Sequence, residues 1–524
     1  MSSTCTDPPG TLSLACTTLA TSLGDRTAFR FEEESVGFAE LDRRADRIAA
    51  ALRDAGIGPG DRVAILAKDS LASYEVLFGA ARARAVLVPI NWRLSPKEAA
   101  YIVADSGSKF LFTSVESISR LRECGGLPCE PRVISLDGPA GGDSYESWRD
   151  RPRAPVAVDG HDEEDPVVQV YTSGTTGHPK GVVLPNRTFF HLLRGMRAEG
   201  DVWMDLGAGD RLLLSLPQFH IGGLWWAVQG YLAGATGIVI ESFQPTVVIE
   251  LIQRWRITKV PLVPAMIQFV LAEPASISAD FSSVTGLLYG GSPISPALLE
   301  RAMDLFRCDF FQIYGLTETG NMAVCLRPKD HARGGGRLLS AGRPLPGVEA
   351  KVIGPDGRRL SPGMTGEICL KSPSRMIGYW NDAEATRATL VNGWIHTGDA
   401  GYLDEEGYLF VTDRIKDLII YAGENVSPAE VEAALRLHPA VQEAAVVGAP
   451  DDRWGEIIRA FVVLRPGESV KAKDLSRFAR GHLADFKVPR SFEFVDSLPR
   501  NPSGKLLRRE LRSALWQGRG RLVN

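Results

Sequence analysis

Lys180 closes a run, Thr172-Ser173-Gly174-Thr175-Thr176-Gly177-His178-Pro179-Lys180, in which hydroxyls, glycines and one cation crowd together. Backbone N–H groups, hydroxyls and an ammonium at this density suit phosphate oxygens. The run is not a Walker loop, which needs Gly-Lys-Ser/Thr ahead of a helix. Here His178 and Pro179 separate Gly177 from Lys180, and Gly181-Val182-Val183-Leu184-Pro185 reads as a strand. The loop is therefore expected to join strand to strand. A plain hairpin tip would need neither the hydroxyls nor the lysine, and lysine is scarce in this chain, 13 against 46 arginines.

A second stretch, Gln312-Ile313-Tyr314-Gly315-Leu316-Thr317-Glu318, follows the apolar Phe310-Phe311. It reads as a strand end opening into a loop, the place where α/β sheets bind ligands. Tyr314 offers a flat face to a purine and Thr317 a hydroxyl to phosphate. Glu318 is a hard carboxylate suited to Mg²⁺ shared with phosphates and water. Asp399 lies among small residues in Gly398-Asp399-Ala400-Gly401, where a carboxylate can accept from a ribose diol. Asp413-Arg414-Ile415-Lys416-Asp417 reads, taken alone, as a solvated charge cluster. Pro499-Arg500-Asn501-Pro502-Ser503-Gly504-Lys505 is a Pro/Gly turn presenting Lys505, and a tail lysine by itself is inert.

The elements that must position these residues alternate. Phe38 to Ala55 is amphipathic, Arg62–Leu66 reads as a buried strand, Ala72–Ala85 as a helix and Ala85–Ile90 as a second strand, which argues for parallel α/β layers. From Ala350 to Asp413, turn signals such as Pro355-Asp356-Gly357 and Asp404-Glu405-Glu406-Gly407 separate short strands of antiparallel type. Beyond Asp417 a compact pattern resumes: helix Pro428–Leu437, strands Val441–Val447 and Ile458–Leu464, helix Val470–His482. A boundary near Asp413–Asp417 leaves enough chain for a small separate domain.

The 524 residues suggest more than one domain, and 44% hydrophobic with 23% charged residues is ordinary for a globular protein. A net charge of −4 argues against nucleic acid as a partner. Seven scattered cysteines show no zinc spacing and no disulfide framework. With an N-terminus lacking a basic, apolar leader, they point to reduced thiols and a cytoplasmic setting. Leu212 to Ile240 is apolar but broken by Pro217, Gln218 and His220, so it reads as core and not as a membrane span.

Together, in this order, the stretches above resemble the adenylate-forming superfamily, over about Thr11 to Leu511. The runs GWIHTGDAGYLDEEGYLFVTDRIKDLIIYAGENVSPAEVE and LPRNPSGKLLRREL are most similar to its acyl- and aryl-CoA ligase branch. The resemblance implies an α/β protein. Residues 1–413 would form a large N-terminal domain of layered α/β subdomains with a small β-barrel-like subdomain. Residues 414–416 would be a hinge, and 417–524 a small mobile α+β C-terminal domain. It implies ATP-dependent conversion of a carboxylic acid to acyl-AMP with pyrophosphate release, then transfer to the thiol of CoA. Thr172 to Lys180 would hold the β- and γ-phosphates. Gly291-Ser292-Pro293, Gln312, Tyr314 and Gly315 would frame adenine. Thr317 would meet the α-phosphate and Glu318 the Mg²⁺. Asp399, aided by Arg414, would hold the ribose. Lys505 would bridge the substrate carboxylate and the α-phosphate, offsetting the charge that builds as two anions meet. Lys416 would be the hinge residue, and Gly423 and Glu424 would border the thiol channel.

For the acid, His220 resembles the family's pocket gate, with a satisfied core histidine as the plainer reading. Trp225, Trp226, Met266, Tyr289, Gly290 and Met322 are expected as pocket walls. Their apolar character, with no acid placed for an ammonium, argues for a fatty or aryl acid, of medium chain length. Small Gly290 and Gly291 would leave room for it. The alternatives are loading of the acyl group onto the phosphopantetheine of an acyl carrier protein, and a non-catalytic nucleotide or acyl sensor. The Arg508–Arg521 tail suits an acidic carrier, a CoA phosphate or plain solvent equally. One departure stands out: many relatives follow the phosphate loop with Thr/Ser-His, where this chain has Pro185-Asn186-Arg187.

Overall fold

Val63–Leu66, Val86–Pro89 and Phe110–Thr113 are buried on both faces, as parallel strands covered by helices must be. They belong to a seven-stranded sheet. The computed structural model describes residues 10–123, 127, 131–138, 144–156, 160–172, 179–200, 204–292, 294–332, 335–414, 417, 419–421, 424–451, 455–483, 485–500 and 506–517. The chain divides into two compact units. One comprises Met1–Ala350 with Leu370–His396, the other Lys351–Cys369 with Thr397–Asn524.

In the first unit the seven-stranded sheet runs Gly378–Tyr379, Lys180–Pro185, Pro166–Thr172, Val86–Pro89, Arg62–Leu66, Phe110–Thr113, Arg132–Ser135. It is parallel from Pro166–Thr172 to its far edge and antiparallel at the hairpin end. A nine-stranded sheet carries Gly286–Gly290 and Asp309–Tyr314 side by side and parallel. Helix Phe38–Asp54 buries Phe38, Leu41, Ala45, Ile48 and Leu52, the spacing of one helical face. The Leu212–Ile240 region resolves into strand Arg211–Leu214, helix Ile221–Leu232 and strand Thr236–Val239. Among the described residues no helix is long and apolar enough to cross a membrane.

In the second unit, strand Trp394–Leu403 enters at Thr397 and pairs antiparallel with Leu409–Arg414, through a turn in which Asp404 Oδ1 accepts from the Glu406 and Tyr408 N–H groups. A separate five-stranded sheet follows, with Gly455–Leu464 between Ile419–Tyr421 and Val441–Asp451. Successive side chains point to opposite faces, and both faces are covered, so strand Val441–Asp451 is apolar along most of its length. Ala444, Val446, Ala460 and Val462 pack with Val431 and Leu435 of helix Pro428–Arg436 and Leu475 and Ala479 of helix Ala472–Arg480. Ala445, Val447, Phe461 and Val463 pack on the other face, with Leu511 and Leu515 of helix Arg508–Leu515.

Candidate functional site

Thr172 stands opposite Lys180 in the register of Pro166–Thr172 against Lys180–Pro185, so the phosphate-type run does join strand to strand. Its tip, with Ser173, Gly174, Thr175, Thr176 and Gly177, lies outside the described residues, as do Pro293, Lys416, Gly423 and Lys505. Lys180 Nζ lies 3.4 Å from Asp382 Oδ2 and 5.2 Å from the centre of the Tyr379 ring. The ring face attracts the ammonium through its quadrupole.

Glu318 is reached from the neighbouring sheet. Strand Asp309–Tyr314 ends at Gly315, where a Cβ would sit 2.1 Å from the Asn321 carbonyl oxygen. Only glycine allows the chain to fold back there into the turn Thr317–Thr319. Thr319 Oγ1 accepts the Leu316 N–H at 2.9 Å, and Gly320 leaves the turn at φ +82°. Gln312, Tyr314, Gly315, Thr317 and Glu318 are all half-buried, so ligand atoms can reach them.

One segment then grips this turn. Ser372 Oγ donates to the Thr319 carbonyl at 3.0 Å and the Met376 N–H to the Glu318 carbonyl at 2.9 Å. The Tyr379 hydroxyl donates to Glu318 Oε1 at 2.7 Å. Burial, and then the Glu318 charge, hold the phenol above its ordinary range, so it stays a donor. The same segment is laddered to strand Lys180–Pro185, Tyr379 opposite Val182, with the Trp380 backbone N–H donating to the Gly181 carbonyl at 2.7 Å. Lys180, Tyr379 and Glu318 thus form one connected cluster. It joins two residues expected from the sequence through a third that the sequence did not single out. Asp382 was missed as well, and Arg187 stood out only as a departure from the family pattern, without a role. Arg187 Nη1 donates to the Pro373 and Arg375 carbonyls at 2.9 and 2.6 Å, anchoring the head of the segment.

The residues fit Mg²⁺. Glu318 supplies hard oxygen, and a proton donor on Oε1 orients the carboxylate while leaving Oε2 for a cation, a second-sphere contact of the kind that tunes metal ligands.

His220 precedes helix Ile221–Leu232; it is exposed, yet the Phe219 ring centre lies 4.6 Å from its own and neighbouring protein atoms crowd it. That crowding, then the Arg93 charge, pushes its imidazole below the ordinary value and keeps it neutral. The segment is pinned from beneath, where Asp69 Oδ2 accepts the Gln218 N–H at 3.0 Å and Gln218 Nε2 donates to the Ser73 carbonyl at 3.2 Å. Met266 and Ser292 retain accessible surface, and a Cβ at Gly291 would meet nothing closer than 3.7 Å. The other expected walls are packed away. Trp225, Trp226, Tyr289 and Met322 are at most 1% exposed. Trp226 Nε1 donates to the Leu213 carbonyl, and the Tyr289 hydroxyl lies 3.2 Å from Gln312 Oε1 and 3.0 Å from His331 Nε2. A Cβ at Gly290 would meet the Ile313 carbonyl oxygen at 2.4 Å, so its smallness serves strand approach and not pocket room.

In the second unit, Asp399 stands opposite Arg414 in the strand register and is 5% exposed. Its N–H donates to Thr397 Oγ1 at 3.0 Å. The side chains of Arg414 and Glu424 lie outside the described residues; the backbone of Glu424 pairs with Tyr421. Asp413 is not idle surface charge. Its Oδ2 accepts from Ser427 Oγ and the Ala429 N–H at 2.8 and 3.0 Å, at the start of helix Pro428–Arg436. Arg500 and Leu506, on either side of the segment that includes Lys505, form an antiparallel bridge. Two tail arginines are engaged inside the unit: Arg508 with Glu432 at 2.7 Å and Arg512 with Glu456 at 3.0 Å, both carboxylates buried. These two cations are therefore paired within the unit.

The model of the AMP-binding enzyme family matches residues 17–380, and that of the AMP-binding enzyme C-terminal domain residues 430–505. Fatty acid–[acyl-carrier-protein] ligase ScoC of Streptomyces coeruleorubidus is 49% identical, over 94% of both chains. A feruloyl-CoA synthase of Amycolatopsis sp is 38% identical, over 93% of this chain and 95% of its own. The structure of o-succinylbenzoate coenzyme A synthetase (MenE) from Bacillus subtilis with ATP and magnesium superposes with a TM-score of 0.82 at 33% identity, covering 95% of this chain and 98% of that one. The fold, the paired strands around the lysine loop and these relatives agree: the chain belongs to the AMP-binding enzyme family of adenylate-forming ligases.

Proposed function

We propose that the chain activates a medium-chain fatty acid as its acyl-adenylate and transfers the acyl group to the thiol of CoA. In the first step a carboxylate oxygen bonds to the α-phosphorus of ATP and pyrophosphate leaves. In the second the thiolate adds to the acyl carbon and AMP leaves, carrying the C–O bonding pair. The detour is needed because a bare carboxylate has an electron-rich carbonyl and no competent leaving group.

The observation that carries this reading is the cluster Lys180–Tyr379–Glu318, which sets a phosphate-type lysine and a hard carboxylate about one tyrosine. In the proposal the 172–180 hairpin holds the terminal phosphates. Residues 291–293, Gln312, Tyr314 and Gly315 frame adenine, Thr317 meets the α-phosphate and Asp399 with Arg414 holds the ribose. Glu318 holds Mg²⁺, which when bound neutralises phosphate charge. Lys505 bridges the two reacting anions, Lys416 is the hinge, and Gly423 and Glu424 border the thiol path. His220, neutral and pinned through Gln218, gates the acid, with Met266 and Gly291 as the accessible part of its pocket. The setting is cytoplasmic, where ATP and CoA are available.

A second reading ends on the phosphopantetheine of an acyl carrier protein, and the 49% identity to ScoC favours it. Pyrophosphate release across a panel of carboxylic acids tests the first step. No acid-dependent release from any member defeats the proposal and returns the chain to a sensor role. Incubation of the best acid and ATP with CoA or with holo-carrier protein separates the acceptors. A thioester found on the carrier alone replaces the first reading by the second.

A further inference from the structure

Tyr379 does two things at once, and nothing in the reaction scheme above uses it. Its hydroxyl donates to Glu318 Oε1 at 2.7 Å and its ring lies 5.2 Å from Lys180 Nζ. Its own backbone is fixed from both sides: it stands opposite Val182 in the ladder to the phosphate hairpin, and its N–H donates to Thr386 Oγ1 at 2.9 Å. Asp382 completes the arrangement. Its Oδ1 accepts the Ala385 N–H at 2.9 Å at the start of helix Ala383–Thr389, and its Oδ2 faces Lys180 at 3.4 Å.

We propose that Tyr379 is a positioning residue that presets the Glu318 carboxylate for Mg²⁺·ATP and seats the Lys180 ammonium for the same phosphates. The inference rests on the adenylation reading of this site. A glutamate side chain has several rotatable bonds, and a carboxylate that must meet a cation in one orientation gains from having them arrested beforehand. Tyr379 arrests the far end of Glu318, and the Met376 N–H on its carbonyl arrests the near end. Both contacts come from one segment, so the carboxylate is held by backbone that is itself laddered to the phosphate hairpin. The aromatic face gives Lys180 a place to rest without neutralising it, and Asp382 is a partner that incoming phosphate oxygens can outcompete.

The test titrates Mg²⁺ against ATP binding by calorimetry, without any acid, for the unaltered protein, Tyr379→Phe and Tyr379→Leu. Binding of AMP without metal and the melting curve are measured beside it. Tyr379→Phe removes the hydroxyl and keeps the ring. It should raise the Mg²⁺ midpoint about 10- to 100-fold, as loss of second-sphere partners does, with AMP binding and melting unchanged. Tyr379→Leu should also weaken ATP binding at saturating Mg²⁺, because Lys180 loses its seat. An unchanged Mg²⁺ midpoint in Tyr379→Phe overturns the inference while leaving the adenylation reading intact. So does a parallel fall of ATP binding, AMP binding and melting temperature, which marks a merely structural tyrosine. If the unaltered protein binds no ATP, the adenylation reading falls and takes this inference with it.

Discussion

Replacing Arg187 should loosen the segment that grips Glu318, although Arg187 touches no expected ligand. Its side chain is 8% exposed and has three partners: Glu164, which is 64% exposed, and the Pro373 and Arg375 carbonyls at 2.9 and 2.6 Å. The exposed ion pair contributes at most ~1 kcal/mol. Each bond from a guanidinium to a part-buried carbonyl is worth ~1.5–3 kcal/mol, and the two share one nitrogen, so the pair is worth ~3 kcal/mol rather than their sum. A chain of more than one compact unit has no single unfolding free energy, so the readout must be local. Hydrogen exchange of the amides in 372–380 supplies it, with the Met376 N–H as the reporter because it donates to the Glu318 carbonyl. A loss of ~3 kcal/mol corresponds to roughly 100-fold faster exchange through local opening. Arg187→Lys should recover only part, since an ammonium lacks the planar fork. Glu164→Ala should change exchange less than about fivefold. If Arg187→Ala leaves 372–380 protected, or if Glu164→Ala matches it, the carbonyl contacts do not hold the segment. The same contacts account for Pro185-Asn186-Arg187. Asn186 Oδ1 accepts the Leu12 N–H at 3.0 Å while Arg187 reaches the segment beyond, so the departure from the family pattern builds local anchors.

Three further outcomes are expected. Lys505→Ala should abolish most pyrophosphate release yet spare thioester formation from supplied acyl-AMP; equal loss of both steps would refute its role. Burial pushes Asp69 up to about 7, against the opposing pulls of the Gln218 N–H and Arg93. Because the native state then holds a proton that the unfolded chain releases near pH 4, stability referenced to Asp69→Asn should fall from about pH 4 to about pH 7 and level off above. His220, lowered by the same surroundings, acts in the opposite sense but is common to both proteins and cancels. A pH-independent difference in melting temperature would show that Asp69 is not held protonated. Arg508→Ala leaves Glu432 buried without its guanidinium and should cost the second unit ~3–5 kcal/mol, seen as early loss of its structure on denaturation. Adding Glu432→Gln should return part of that loss, and no recovery would mean that packing, not charge, is what Arg508 supplies.

Local patterns carried much of the fold. Phe38, Leu41, Ala45 and Ile48 announce a helix face by spacing alone, and short apolar runs such as Arg62–Leu66 announce strands. What a run of apolar residues cannot show is which face it turns to a ligand. Trp225 and Trp226 are as apolar as any pocket wall, yet helix Ile221–Leu232 is buried nearly all round and spends both in the core. Gly290 looked like open space because a glycine lacks a side chain; the space is filled by the carbonyl of Ile313 on the next strand. The arginines of the last helix looked free because their carboxylate partners, Glu432 and Glu456, lie 76 and 56 residues away.

The candidate site divides along the same line. Hydroxyl, glycine and lysine runs suggest their chemistry within a few residues, so Thr172–Lys180 and Gln312–Glu318 stood out as candidates. Tyr379 was not, since its contact with Glu318 spans 61 residues and a tyrosine after a glycine is ordinary strand chemistry. The ladder explains why the link exists at all. In the proposed function a lysine on one sheet and a carboxylate in the turn beyond another share one polyphosphate, so their separation must be fixed, which flexible side chains alone do not achieve. The short strand Gly378–Tyr379 hydrogen-bonds to the lysine's own strand, while its flanking backbone hydrogen-bonds to the carboxylate's turn. Rigid backbone pairing therefore sets the spacing, and a single phenol adjusts the last contact. By contrast Met266, the accessible residue proposed for the acid pocket, takes no part in these bonds. Acid specificity should therefore yield to substitution at Met266 while Mg²⁺·ATP binding holds.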